Sequence, residues 1–383
     1  MERFPRGQVA IVGAATYGMG ESPGMRSLDL AAKAAVLALK DANVSLQEVD
    51  ALFVCTPDDA LSGLSAAEYL GIQPRFTENN RTGGSAFHSH VIAATLMLES
   101  GYCDTALIIY GSNQRTASGG LVSMRLPSPY EKPYKPLTPL SSYALAAARH
   151  MHQYGTTREH LAEVAVAARK WAQLNPDAFV RDELTIEDCL KARMVSDPLS
   201  VRDCCLVTDG AAAIVLTRSD RARDLQARPV YLLGGAAATW YSGVDQSQDL
   251  TVTAARESGQ RAYALAGVTP ADIDVVQLYD AFTINTLLFL EDLGFCPKGE
   301  GGHFVSGGNI APGGSLPVNT NGGGLSCCHP GMYGLFTIVE SCMQLRGEAG
   351  QRQVANARLA LAHANGGTLS SQATLILGTA ETL

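Results

Sequence analysis

Long apolar runs, basic clusters and metal-ligand spacings are all missing from this 383-residue chain. No window of about 18 residues is uniformly apolar, which argues against a membrane span. The opening segment, MERFPRGQVAIVGAAT, enters a strand-like run without the apolar stretch of a secretion signal. The formal net charge is −8 and no run of basic residues offers a phosphate-tracking surface, so nucleic acid is not an expected partner. Zinc is set aside on spacing. There is no C-x-x-C, and Cys204-Cys205 and Cys327-Cys328 are adjacent pairs, a poor arrangement for two ligands of one tetrahedral site. His88 and His90, like His150 and His152, are two apart and point to different faces of a helix. The nine cysteines are scattered and odd in number, so a disulfide framework is not expected, and the plain reading is a reduced, cytoplasmic enzyme.

What is present suits a large α/β enzyme. Hydrophobic residues make up 46%, charged residues 17%, and there are 38 glycines. A faint internal repeat runs through the chain. VSLQEVDALFV, Val44 to Val54, matches VTPADIDVVQL, Val268 to Leu278, in its order of branched, acidic and apolar residues. Each follows an Ala-rich helical segment, Leu28 to Ala42 and Val252 to Gly267, which suggests a duplicated α/β half. Further strands are expected at Val9 to Ala15, Ala106 to Tyr110, Ala211 to Thr217, Val230 to Gly235, Leu359 to His363 and Thr374 to Leu377. Further helices are expected at Ser85 to Ser100, Arg158 to Gln173, Thr283 to Leu293 and Gly331 to Leu345. Between about 113 and 205 the pattern changes: Pro127, Pro129, Pro133, Pro136 and Pro139 break the chain, and polar helical pieces follow. This reads as an insertion or lid on the first half. The expected division is residues 1–225, including that insertion, and 226–383.

Three segments could carry chemistry. The first is VNTNGGGLSCCHPGMYG, Val318 to Gly334, a Gly-rich turn running into Cys328-His329-Pro330. Pro330 suits the first turn of a helix, so His329 is expected at a helix N-terminus, where the dipole favours neutral imidazole. That suits a general base or a donor to an oxyanion, while the plainer reading is a His satisfying a turn carbonyl. The second is QLYDAFT, Gln277 to Thr283, where a strand ends and a helix begins, a place where open α/β sheets put ligands. Its Tyr279 can donate to an oxyanion or relay a proton, or merely pack in the core. The third is ENNRTGGSAFHSH, Glu78 to His90, with Ser85 as a weak candidate nucleophile or, more plainly, a helix cap.

These segments resemble the motifs of the thiolase superfamily, in the family's order and over nearly the whole chain. Asn319, Gly322, Gly323, His329 and Pro330 match its Asn-x-x-Gly-Gly…Gly-His-Pro signature. QLYDAFT is similar to the His-Asp-Cys-Phe motif of the sterol-carrier-protein-2 type, with Tyr279 in place of the His and Ala281 in place of the acid/base Cys. The stretch corresponding to the family's nucleophilic Cys holds no cysteine, and the position falls on Gly83 or Gly84. The loop Ala362 to Ser371 resembles a His-Gly-Asn-Gly-Gly form; Gly366 and Gly367 would present amides to a thioester oxygen, and His363 is a proton carrier or a structural strand-end residue.

The resemblance implies a thiolase fold: two similar halves with mixed five-stranded sheets in α-β-α-β-α layers, plus a loop domain. It implies a CoA thioester as substrate, with no tightly bound cofactor and no metal. It implies a homodimer or dimer of dimers, and a possible small partner with an OB fold and zinc ribbon. The candidate catalytic residues are His329 and Tyr279, with Ser85 weaker. Asn319, Gly322, Gly323, Asn365, Gly366 and Gly367 are the candidate oxyanion or substrate-binding residues. Without the nucleophile, retro-aldol cleavage of a β-hydroxyacyl-CoA is the leading expectation. The alternatives are thiolysis by an unorthodox nucleophile and a catalytically silent acyl-CoA-binding subunit.

Overall fold

The computed structural model describes residues 3–118, 129–225 and 228–383; Pro127 and the first two residues lie outside them. The first half begins β1 (Val9–Gly20), α1 (Ser27–Asp41), β2 (Ala51–Val54), α2 (Ser62–Leu70), β3 (Phe76–Glu78), α3 (Ser85–Glu99) and β4 (Thr105–Ser112). The insertion holds α4 (Leu140–Tyr154), α5 (Arg158–Gln173), α6 (Ile186–Lys191) and a small hairpin, β5 (Met194–Ser196) with β6 (Leu199–Ser200). The chain then completes the first half with β7 (Asp209–Arg218) and α7 (Ser219–Ala222). The second half runs β8 (Val230–Thr239), α8 (Ala255–Ala266), β9 (Val275–Leu278), α9 (Thr283–Asp292), α10 (Gly301–Val305), α11 (Gly334–Arg346), β10 (Leu359–Gly366) and β11 (Ser371–Gly378).

The strand order is β3-β2-β4-β7-β1 and then β8-β11-β10-β9. Within the first half β3, β2 and β4 are parallel, and β7 and β1 are antiparallel additions. The second half repeats the plan, with β9 parallel to β10, and β11 and β8 antiparallel. The halves join where β1 meets β8 through two residue pairs, Ala10 with Tyr231 and Ile11 with Val230. Among the described residues the first half has the five strands expected of it, and the second has four. Its fifth place is taken by a single parallel bridge between Val276 and Val318. Pro317 has no N–H to extend a ladder, and Asn319 turns the chain away at φ +53°.

The layers follow from where apolar surface can hide. Helix α1 covers β1, β4 and β7; α8 covers β8 and β11 on the other outer side. Between them α3 and α11 touch strands of both halves and each other, so these two helices must be apolar almost all round. That burial reaches His88 and His90, which lie on separate faces of α3 yet are both fully buried. Arg346, near the end of α11, is also buried and is held by Asp41 of α1 at 2.6 Å and by Arg228 O at 2.9 Å. A buried guanidinium is tolerable only with such partners, and the pair ties the central layer to the first half.

Among the described residues, the helices of the insertion pack mainly on the second half, whereas its position in the chain suggested the first. Helix α5 turns its face of Leu161, Val164, Ala168 and Ala172 toward α9, α10 and the turn at residues 323–327, all in the second half. Trp171 donates to Ile310 O at 2.9 Å, Arg169 to Ser326 Oγ at 3.0 Å and Asn175 to Asn321 O at 2.9 Å. A Cβ at Gly322 would sit 2.7 Å from Ala172, so the contact needs glycine there. His150 of α4 meets Glu291 of α9 at 3.0 Å.

Candidate active site

Several chain segments converge on one cavity of about 410 Å³. They include the loop entering α3, the start of α4, Cys205, the end of β8 with Tyr241 and Ser242 after it, the end of β9, the loop entering α11 and the turn between β10 and β11. Tyr279, His329, Asn365, Gly366 and Gly367 all line it, as do Gly83 and Gly84.

Tyr279 continues the β9–β10 ladder, its N–H donating to His363 O at 3.0 Å. That fixes the backbone and throws the ring toward the loop before α11. The hydroxyl has two acceptors for one proton: Gly331 O at 3.1 Å and His329 Nε2, also at 3.1 Å. The two rings meet edge-on with centroids 5.5 Å apart. Burial pushes the phenol well above its ordinary value, so it is neutral at pH 7.

His329 is not at a helix N-terminus. Helix α11 starts five residues later, at Gly334. The His is instead pinned by its backbone: its N–H donates to Thr208 Oγ1 at 3.0 Å and its carbonyl accepts from Gln114 Nε2 at 2.8 Å. Tyr110 of β4 secures the residues that follow, donating to Pro330 O and accepting from Met332 N. The imidazole is neutral because burial lowers its pKa to about 4, not because of a helix dipole. Its Nδ1 is buried without a hydrogen-bond partner.

The two glycines before α3 contribute space, not reactivity. A Cβ at Gly84 would lie 2.0 Å from Tyr279 Cε2 and 2.8 Å from Asn365 O. One at Gly83, where φ is +91°, would lie 2.9 Å from Gly366 Cα and from Gly367 N. Neither position admits a side chain. The Tyr279 ring stands in the room that a residue at Gly84 would need. Ser85 does not cap α3; it is the first helical residue, fully buried and outside the cavity lining. Its hydroxyl donates to Ser371 Oγ at 2.9 Å and lies 3.0 Å from Thr82 Oγ1, a structural tie between α3 and β11.

Asn319, Gly322 and Gly323 also stay out of the cavity wall. Asn319 Oδ1 accepts from Leu278 N at 2.7 Å, holding the end of β9. Asp280 occupies the place of a Gly323 side chain, since a Cβ there would be 2.1 Å from its Oδ2. Gly324 N donates to Asp280 Oδ1 at 2.6 Å. Burial still raises this carboxyl to about 7, the amides pulling the other way. These residues are the footing beneath Tyr279 and His329. Cys327 and Cys328 are fully buried and likewise off the wall. His363 spends both ring nitrogens on Thr374 Oγ1 at 2.9 Å and Gln372 Oε1 at 3.0 Å, within β10–β11, and is no proton carrier for the cavity.

Asn365 does line the cavity, and its amide is directed. It donates to Tyr143 OH and accepts from Gln372 Nε2, both at 2.8 Å. Tyr143, on α4, stacks on Phe282 with centroids 4.4 Å apart. Tyr143 sits in no motif and is not legible as a site residue in the sequence; the one signal is an Ala-rich helical stretch with an aromatic on its apolar side. Cys205 belongs to a segment that reads as a structural loop, yet it lines the cavity. Among the described residues no cluster of three or more His, Cys, Asp or Glu could hold a metal.

Comparison with known proteins bears on this site. Residues 236–379 match the family described as thiolase C-terminal domain-like. The chain is 36% identical to the 17-hydroxy-3-oxo-4-pregnene-20-carboxyl-CoA lyase of Mycobacterium tuberculosis, over 89% of this chain and 92% of that one. The chain belongs to the thiolase superfamily. Its likeness runs to the sterol-carrier-protein-2 type. It is also 34% identical to an acetyl-CoA acetyltransferase of Methanothermobacter thermautotrophicus, over 94% of this chain and 96% of that one. Among solved structures, the Ltp2-ChsH2(DUF35) aldolase superposes with a TM-score of 0.89 at 33% identity, covering 98% of both chains. Thiolase-superfamily relatives of similar identity thus carry names for two reactions, lyase and acetyltransferase, and overall likeness does not choose between them.

Proposed function

We propose that this thiolase-superfamily enzyme cleaves the carbon–carbon bond beside a CoA thioester by a retro-aldol reaction on a β-hydroxyacyl-CoA. The observation that carries the reading is the Tyr279 ring, which fills the space a nucleophile at Gly84 would occupy and bonds its hydroxyl to His329. An acyl-enzyme on Cys is sterically closed at that position, whereas proton transfer is provided for.

The reaction needs a proton acceptor for the β-hydroxyl and a sink for the electron pair of the breaking bond. A neutral phenol is a poor base alone. Beside a neutral His it becomes a relay: the substrate hydroxyl gives its proton to Tyr279 oxygen as the phenol proton moves to His329 Nε2. The Cβ–O bond becomes C=O, the Cα–Cβ bond breaks, and its electrons enter the thioester as an enolate. The amides of Gly366, the last residue of β10, and Gly367, the first of the turn that follows, are assigned to the enolate oxygen. Coenzyme A enters only as part of the substrate, and no tightly bound cofactor is required.

Product analysis by mass spectrometry tests this. A panel of β-hydroxyacyl-CoA and β-ketoacyl-CoA esters is supplied with and without free CoA. Release of an aldehyde or ketone without free CoA is the expected result. Products only from ketoacyl esters in the presence of CoA would overturn it in favour of thiolysis. We further assign the chain a dimeric or tetrameric state and a small OB-fold and zinc-ribbon partner; the existence of a partner, though not its fold, is supported by the DUF35 component in the name of the aldolase structure. No helix among the described residues is long and apolar enough to cross a membrane, and the nine free thiols suit a reducing cytoplasm.

A further inference from the structure

Retro-aldol cleavage leaves a thioester enolate that must gain a proton on carbon before product departs, and the Tyr279–His329 relay serves the hydroxyl side of the bond. We propose that Cys205 is a further catalytic residue of this cavity: its thiol delivers the proton to the α-carbon of the enolate. This rests on the lyase reading.

Four observations support it. Among the described residues that line the cavity, Cys205 alone carries a thiol. Its position is set by backbone bonds to the catalytic segments: Cys205 N donates to Ala281 O at 2.9 Å, and Leu206 N to Gly324 O at 2.9 Å. Cys205, Tyr279 and Ala281 line the same cavity. Its neighbour Cys204 behaves differently: it donates to Ser200 O at 3.3 Å and does not line the cavity. The third observation is His329, which lines the same cavity and is bonded through Nε2 to the Tyr279 hydroxyl at 3.1 Å. Fourth, burial, then the neighbouring Cys204 and Asp280, hold the thiol well above the ordinary range, so it is a proton donor at pH 7 and not a nucleophile.

The step balances. The S–H bond of Cys205 breaks and an α-C–H bond forms, the enolate electron pair making that bond and the thioester carbonyl re-forming. The thiolate regains a proton through solvent from His329, which took the hydroxyl proton. In reverse the thiol must first ionise before it removes an α-proton from the product thioester, so the protein should exchange the α-hydrogens of an acyl-CoA with solvent, faster as pH rises.

The test is α-hydrogen exchange of propanoyl-CoA in D₂O, followed by mass spectrometry, beside carbonyl release from the β-hydroxyacyl-CoA panel. Cys205→Ala is expected to slow exchange about 100-fold. Cys205→Ser, close in size and a weaker acid, is expected to keep the fold by circular dichroism and exchange at an intermediate rate. Cys204→Ala is expected to match wild type in both assays. Wild-type rates of exchange and cleavage in both Cys205 variants would overturn the assignment and leave the lyase reading standing. Exchange lost in Tyr279→Phe but kept in Cys205→Ala would overturn it and give the carbon proton to Tyr279. Wild-type protein that releases no carbonyl from any ester would overturn the lyase reading, and the assignment with it.

Discussion

The loops entering α3 and α11, the two central helices, occupy matching places in the two halves and have opposite characters. The first is Arg81-Thr82-Gly83-Gly84, which brings a guanidinium and a hydroxyl but no thiol or imidazole to the cavity. The second carries His329, and the neighbouring end of β9 carries Tyr279. The two differences are linked, because the Tyr279 ring lies within 2.0 Å of where a Gly84 side chain would begin. A duplicated fold gives two equivalent sites for a catalytic group, but they face one cavity and compete for the same volume. Here the second half has taken that volume.

Breaking the reactive side of this comparison has the largest expected effect. Tyr279→Phe keeps the ring and removes the relay, so kcat for carbonyl release should fall about 1,000-fold with the fold intact; steady-state kinetics on the cleaved ester checks this. A loss under about threefold would remove Tyr279 from the mechanism.

Refilling the bare side should sharpen it. Gly84→Cys collides with the Tyr279 ring and is expected to destabilise the protein by about 1–3 kcal/mol. In a Tyr279→Ala background the same change should be better tolerated. Denaturant melts of the four proteins give the coupling, and additive effects would mean that the two positions do not share space.

Acid stability tests the halves together. His88 and His90 in the first half and His329 and His363 in the second are buried neutral, with pKa values lowered to about 3, 4, 4 and 3. Unfolded His titrates near 6.5. Between about pH 6.5 and 4 the unfolded chain therefore binds protons that the folded chain refuses, and stability is lost as pH falls through that window. His90 has no partner on either nitrogen, so His90→Leu should flatten the decline in Tm from pH 7 to pH 5. An unchanged slope would show that its burial does not couple to protonation.

The smallest effect concerns the seam between insertion and second half. Tyr143→Phe removes the bond from Asn365, about 1 kcal/mol, and should raise KM a few-fold while kcat holds. A fall in kcat instead would move Tyr143 into the chemistry.

Elements with a clear period are legible in the sequence itself. Helix α5 runs from Arg158 to Gln173 as its pattern indicates, and β1, β7, β10 and β11 extend the expected apolar runs by a few residues into their turns. The candidate site is readable wherever residue type and motif coincide, as at His329, Tyr279 and Gly366. Reading fails where a residue's role depends on contacts far along the chain. Asn319, Gly322 and Gly323 sit in the right motif, yet hold β9, Ala172 and Asp280 from behind the cavity wall. Ser85 looks like a helix cap until Ser371 claims its hydroxyl from 286 residues away.

Local pattern, glycine placement and motif order were enough to set the family and the doubled α/β plan. These depend on residue type and short-range backbone geometry, which the chain carries in order. Tertiary structure alone decided that the insertion docks on the second half, that His329 is neutral through burial, that Cys205 faces the cavity, and that Tyr279 closes the space beside Gly84. Each of these is a matter of which atoms exclude water or one another, and that exists only once distant segments are packed together.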